Sequence, residues 1–174
     1  MNSMNRCCSL LILLSLTALS GCGYMLGTQA VQGVRSVHVA VFESRSFRRN
    51  TDYLLTEAVQ KEVRNRGAYR LEEADIADTI LRGRIVDIRK SPLSETRFDD
   101  PRELQLTVGA EITWVDRRSG QILSQKTFPI GNALTPQLSS VTFAPEVGQS
   151  LATAQQEAVS RLAANIVDLM EVPW

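Results

Sequence analysis

Arginine dominates the chemistry available to this sequence: 16 of its 19 basic residues are Arg and only three are Lys. A guanidinium offers a planar fork of donors that fits carboxylate or phosphate oxygens two at a time. Five basic positions lie close enough in sequence to act together: Arg82, Arg84, Arg89, Lys90 and Arg97. On an extended chain Arg82 and Arg84 project to one side, about 7 Å apart. Such a row suits charge-assisted bonds to lipid phosphates. It is equally suited to being a solvated face, or to pairing with nearby Asp and Glu. Other reactive groups are sparse. There is one histidine, His38, and there are three cysteines, too few for a Cys/His zinc site. The carboxylate pairs Glu72/Glu73 and Asp99/Asp100 are adjacent in loops, whereas a glycosidase needs carboxylates opposed across a cleft. No Gly-rich phosphate loop, Gly-x-Ser-x-Gly elbow, HExxH or CxxC occurs. A nucleophile, a base and an orienting group cannot be assembled from this set. The expectation is a protein that is not an enzyme and uses no cofactor or metal.

Cys22 carries a different chemistry. Leu10 to Leu19 is a continuous apolar run ending in Ser20-Gly21-Cys22. It is about half the length needed to span a bilayer and is the size of a secretory signal core. Leu19-Ser20-Gly21-Cys22 resembles the bacterial lipobox, in which small residues lie flat in a peptidase groove and the thiol takes a thioether-linked diacylglycerol. The reading is a lipoprotein signal peptide over 1–21 and a lipidated tether over 22–33, with Cys22 acylated, palmitate included. Cys7 and Cys8 leave with the signal, so no disulfide forms within the mature chain. One acyl chain anchors marginally, but two or three hold a protein on a membrane. Gly23 stands where Asp would resemble an inner-membrane retention signal. The expected location is therefore the outer membrane, lipid-anchored, on its periplasmic side.

These groups must be positioned by the body, residues 34–174, read as one domain. Equal numbers of basic and acidic residues argue against a bulk electrostatic nucleic-acid binder. Val34–Ser44 reads as a strand buried on both faces, with Val37, Val39 and Val41 alternating against His38, Ala40 and Phe42. His38 reads as a satisfied imidazole. Thr51 or Asp52 can cap a helix over roughly 52–66 that stops at Gly67. Thr79–Lys90 reads as a strand whose phase breaks before Ile88, which predicts a bulge near Val86–Asp87. Glu103–Asp116 alternates most clearly, with Leu104, Leu106, Val108, Ala110, Ile112 and Trp114 on one face. A turn at Asp116–Gly120 returns the chain as a hairpin over Gln121–Ile130, and Thr135–Pro145 reads as a loop. A second helix over about 150–170 is Ala-rich. The expectation is an α+β two-layer sandwich, a four-stranded mixed sheet with two helices on one face, in the order β-α-β-β-β-α.

Several of these features together resemble the LptE family of lipopolysaccharide-assembly lipoproteins. They are Gly21-Cys22-Gly23-Tyr24 with Leu26, the strand ending in Val41-Phe42, and Leu55-Thr56-Glu57-Ala58-Val59 on the first helix. Ala77-Asp78-Thr79-Ile80-Leu81-Arg82-Gly83 leading into Ile85, and the Ala-rich last helix, complete the set. The resemblance implies a body that plugs and helps assemble the LptD-type outer-membrane β-barrel and binds lipopolysaccharide on its way to the outer leaflet. It also implies basic lipopolysaccharide contacts, one of them near Arg97. Another, early in the last helix, has no counterpart, since Ala144–Gln156 holds no Lys or Arg. A second reading is a periplasmic lipoprotein regulator of a cell-wall synthase, similar to LpoB or CsgG-like modules, which also open with a Val-rich strand and a helix. A third is a structural anchor with no lipid ligand.

Overall fold

A computed structural model describes residues 30–44, 50–95, 101–128 and 140–171, without the side chains of 94, 95, 101 and 102. Cys22 and Arg97 lie outside the described residues.

Helix periodicity sets the first layer. Thr51, Leu55, Val59 and Val63, four residues apart, form the buried stripe of α1 (Thr51–Arg66). Gly67, at φ 67°, ends it by donating its N–H to Val63 O. The start differs from expectation. Thr51 and Asp52 lie inside the helix, and the capping position is Asn50 at φ 70°, with no side-chain cap bond. Thr51 instead accepts a bond from Gln155 Nε2 at 2.9 Å. That bond tethers α1 to α2 (Leu151–Asp168), whose own start is capped by Ser150 Oγ accepting from Thr153 N–H. Ala154 and Ala158 leave little bulk on the buried stripe of α2, with Leu162 and Ile166 below them. Thr51 meets Gln155 at one end and Arg66 meets Asp168 at the other, so the helices run parallel.

The sheet has seven strands, not four. They are β1 (Ser36–Val39), β2 (Glu43–Ser44), β3 (Arg70–Leu71), β4 (Thr79–Glu95), β5 (Pro101–Asp116), β6 (Ile122–Phe128) and β7 (Ser140–Phe143). The path is β3-β1-β4-β5-β6, with β2 also on β4 and β7 also on β5. β1 lies parallel to β3 and β4, whereas β4, β5, β6 and β7 pair antiparallel. The three extra strands have two to four residues, too short to show a period of two. β7 falls in the stretch read as a loop, and β4 runs five residues past Lys90.

The predicted single first strand is two strands with a change of phase between them. Val37 and Val39 are buried, but Val41 is 58% exposed and Phe42 takes the interior position. Phe42 fits because Gly83 of β4 leaves room: a Cβ there would lie 2.1 Å from Phe42 Cε1. The Phe42 N–H donates to Thr56 Oγ1 at 3.0 Å, which in turn donates to Asp52 O. Both helices cover the face that carries Leu81, Ile85, Leu106, Ala110, Ile112 and Trp114, and the cluster is continuous. Thr107, on the opposite face of β5, is also buried, flanked by Arg89 of β4 and Ser140 of β7.

Candidate lipid-binding face

Alternation along β4 decides where the basic residues go. Arg82 pairs with Thr113 and Arg84 with Glu111, on the face the helices leave uncovered. A β-bulge follows: Ile85 opposes Ala110 and Asp87 opposes Gly109, leaving Val86 as the extra residue. This is the predicted position of the phase break. Because one residue is added, Arg89 opposite Thr107 returns to the helix-free face of Arg82 and Arg84. Lys90 opposite Leu106 moves to the other face. The structure thus puts Arg82, Arg84 and Arg89 on one face, with Arg89 about 13 Å along the sheet from Arg84, and Lys90 on the other.

Arg82, Arg84, Gly83, Glu43, Glu111 and Thr113 line an open cleft of ≈ 300 Å³. Arg84 Nε is 3.4 Å from Glu43 Oε2, and Arg89 Nη2 is 3.7 Å from Asp87 Oδ2. Arg84 is half-buried and the other three side chains are exposed, and such surface pairs contribute about 0–1 kcal/mol. Neither guanidinium is held tightly by its carboxylate. Arg82 is exposed and makes no ion pair among the described residues. Arg82, Arg84 and Arg89 offer guanidinium forks that fit an anion's oxygens, on a face that also carries Glu43, Asp87 and Glu111. The described residues contain no cluster of three or more His, Cys, Asp or Glu able to hold a metal.

His38 behaves as expected: its Nδ1 lies 3.1 Å from Glu72 O. Arg161, nearly three turns into α2, donates to Ser140 O at 3.1 Å and pairs with Glu157 at 2.6 Å, which fixes the helix against β7.

Sequence reasoning missed Arg66. Its guanidinium meets Glu62 at 2.9 Å, Asp168 at 2.6 Å and Glu171 at 2.7 Å, and donates to Ala164 O at 3.2 Å. Burial pulls its pKa down, but the three carboxylates outweigh burial and hold it above the ordinary guanidinium value. Beside it, Tyr69 Oη donates to Met170 O at 2.5 Å and accepts from Val31 N–H at 3.0 Å. Burial, first, and the charge of Glu171 push the Tyr69 hydroxyl's pKa up, against the bond from Val31. The Tyr69 ring stands edge-on to Trp114 at 5.7 Å, and the buried Trp114 Nε1–H has no acceptor among the described residues. The available signal for Arg66 was its place in the last turn of a helix, where a cation suits the dipole.

Comparison with known proteins adds the following. The LptE family, described as lipopolysaccharide-assembly, matches residues 34–171. No curated protein sequence matches the chain. Among solved structures, the PelC dodecamer from Paraburkholderia phytofirmans is similar at 14% identity and a TM-score of 0.53, over 86% of this chain and 96% of that one. The hypothetical protein CT253 from Chlamydia trachomatis is similar at 9% identity and a TM-score of 0.55, over 78% and 94%. Protein XCC0632 from Xanthomonas campestris is similar at 9% identity and a TM-score of 0.52, over 82% and 90%. At such identities the likeness concerns the fold.

Proposed function

The chain belongs to the LptE lipopolysaccharide-assembly family, and on that premise we propose that it is an outer-membrane lipoprotein, acylated at Cys22, that plugs and helps assemble an LptD-type β-barrel. It holds lipopolysaccharide during transport to the outer leaflet, and no bond is made or broken. The observation that carries this reading is the family match over 34–171, which takes in every described strand and both helices. The lipid-binding part is supported by Arg82, Arg84 and Arg89, which share the uncovered sheet face and are not held tightly by carboxylates. Arg97 is the fourth proposed contact. Lys90, on the opposite face, plays no part beside those three. No helix among the described residues is long and apolar enough to cross a membrane.

Purification of the native protein from detergent-solubilised outer membranes tests the partnership. A large β-barrel should co-purify, and recovery of soluble periplasmic enzymes alone would count against it. Depletion tests the pathway. Lipopolysaccharide should accumulate in the inner membrane, whereas lysis from weakened peptidoglycan would favour a cell-wall regulator.

A further inference from the structure

One edge of the sheet opens partway along. Arg70 N–H donates to Arg35 O and Glu72 N–H to Val37 O, so the backbone groups of Arg35 and Val37 face β3. Ala40 N–H donates to Leu81 O, on the β4 side. Successive residues of a strand turn their backbone groups to opposite edges, which points those of Val39 and Val41 to the β3 side. There β3 has already ended. The Glu72 carbonyl, which would take the next rung, lies 3.1 Å from His38 Nδ1 instead. The chain then turns away, with Ile76 and Ala77 N–H both donating to Glu73 O. Past Val41, the Phe42 N–H leaves the edge for Thr56 Oγ1. Among the described residues, no backbone bond reaches Val39 or Val41 from this side.

The open edge lies in a groove of ≈ 430 Å³. Leu71, Glu72 and Glu73 close the end nearer Val37, and Gln60 and Arg64 of α1 line the side. The Val41 side chain is 58% exposed within it. The strand at the other end of the sheet path, β6, carries Lys126, and a charge on an edge strand discourages further pairing. Val39, Ala40 and Val41 have neither charge nor proline to do so.

The dimensions select the occupant. Val39 to Val41 spans about 7 Å. A second copy pairing over that length would fall well short of the roughly 1,200 Å² that a stable interface buries. The groove volume suits a few residues of extended peptide. Its charged lining is Glu72, Glu73 and Arg64, two carboxylates against one guanidinium, and none of them makes an ion pair among the described residues. A basic side chain complements the Glu72–Glu73 end.

We propose that Val39–Val41 is a docking edge for an extended segment of a partner protein, which adds as a short strand beside β1. It sets an aliphatic side chain against Val41 and Leu71 and a basic one beside Glu72 and Glu73. The inference depends on neither the barrel nor lipopolysaccharide.

The test follows the backbone amide signals of the mature protein, isotope-labelled at valine, in detergent micelles. The probes are capped five-residue peptides of alternating Val and Thr with Arg at the first or the last position. At saturation, one of them should shift the Val39 and Val41 signals and slow their hydrogen exchange at least tenfold. Val37, already bonded to β3, should keep its exchange rate. Glu in place of Arg should weaken binding about threefold, the effect of one exposed ion pair, and Glu73→Arg should reverse that preference. Two further peptides carry N-methyl groups on alternate amides, in opposite phase. Only one should bind, because only alternate N–H groups of an added strand face the protein. No shift at Val39 and Val41 with either Arg peptide, equal binding of both methylated peptides, or an Arg preference that survives Glu73→Arg would overturn the proposal. So would slow exchange of both amides without peptide. At every concentration it would mean that another part of the chain covers the edge, and only at high concentration that a second copy does. Co-purification of a β-barrel is a separate measurement, so failure of one reading leaves the other standing.

Discussion

Arg66 Nη1 lies 2.7 Å from Glu171 Oε1, although the two residues are 105 positions apart in the chain. The same nitrogen meets Asp168 at 2.6 Å, so one partly buried guanidinium joins α1 to the end of α2 and to the residue that bridges Ala30. Removing it leaves three carboxylates facing one another without a cation. Arg66→Ala is expected to destabilise the body by about 2 kcal/mol, less than a fully buried pair because the cluster is partly solvated. Arg66→Lys should recover only part of this, since an ammonium lacks the fork that serves three carboxylates. Urea unfolding checks both, read as a change of midpoint at constant slope.

Gly83 and Phe42 make a second such pair. A Cβ on residue 83 would lie 2.1 Å from one ring carbon of Phe42 and 2.8 Å from Ile112 Cδ1, so the ring must move. Gly83→Ala should cost about 1–3 kcal/mol by overpacking. Adding Phe42→Leu should restore part of the loss, a non-additive result in a double-mutant cycle. Strictly additive melting shifts would contradict the packing described.

The bulge at Val86 makes a sharper prediction for the lipid-binding face. Arg82→Ala, Arg84→Ala and Arg89→Ala should each weaken lipopolysaccharide binding about fivefold, the effect of one basic side chain at an anionic surface. Lys90→Ala, one residue from Arg89 but on the other face, should leave binding unchanged. Equal losses at 89 and 90 in a titration with purified lipopolysaccharide would show that the two faces are not distinguished.

Acid should loosen the end of the sheet that carries Asp78 and Asp116 in a defined direction. The N–H of Arg35, opposed in part by desolvation and aided by Ser36, holds the Asp78 carboxyl below its usual pKa. Ser119, through its N–H and then its hydroxyl, does the same for Asp116. A carboxylate whose folded pKa is depressed adds stability above its unfolded value, near 3.9, and loses it as pH falls through the folded value. Asp78→Asn should therefore be less stable than the parent at neutral pH, with the difference shrinking below about pH 4. Urea midpoints for both proteins from neutral to acid pH measure this.

Several features could be read from residues alone because they depend on neighbours in the chain. The stripe of Leu55, Val59 and Val63, the stop at Gly67, and the alternation from Leu104 to Trp114 repeat over enough residues to exceed chance. The family resemblance rested on such local patterns and is borne out over 34–171. The phase break before Ile88 announced the bulge, but the face that Arg89 joins follows only from the pairing of Asp87 with Gly109.

What the sequence by itself determined was thus the kind and order of the long elements. Tertiary structure alone decided the rest. β2, β3 and β7 are strands because β4, β1 and β5 offer them hydrogen-bonding edges, not because two to four residues carry a pattern. Val41, expected to be buried along with Phe42, is exposed, and Phe42 alone fills the interior because Gly83, 41 positions later, leaves room for its ring. Arg66 finds two of its three carboxylates, Asp168 and Glu171, more than 100 residues away. Each of these outcomes depends on a partner brought close by the fold, and a periodic pattern along one segment contains no information about that partner.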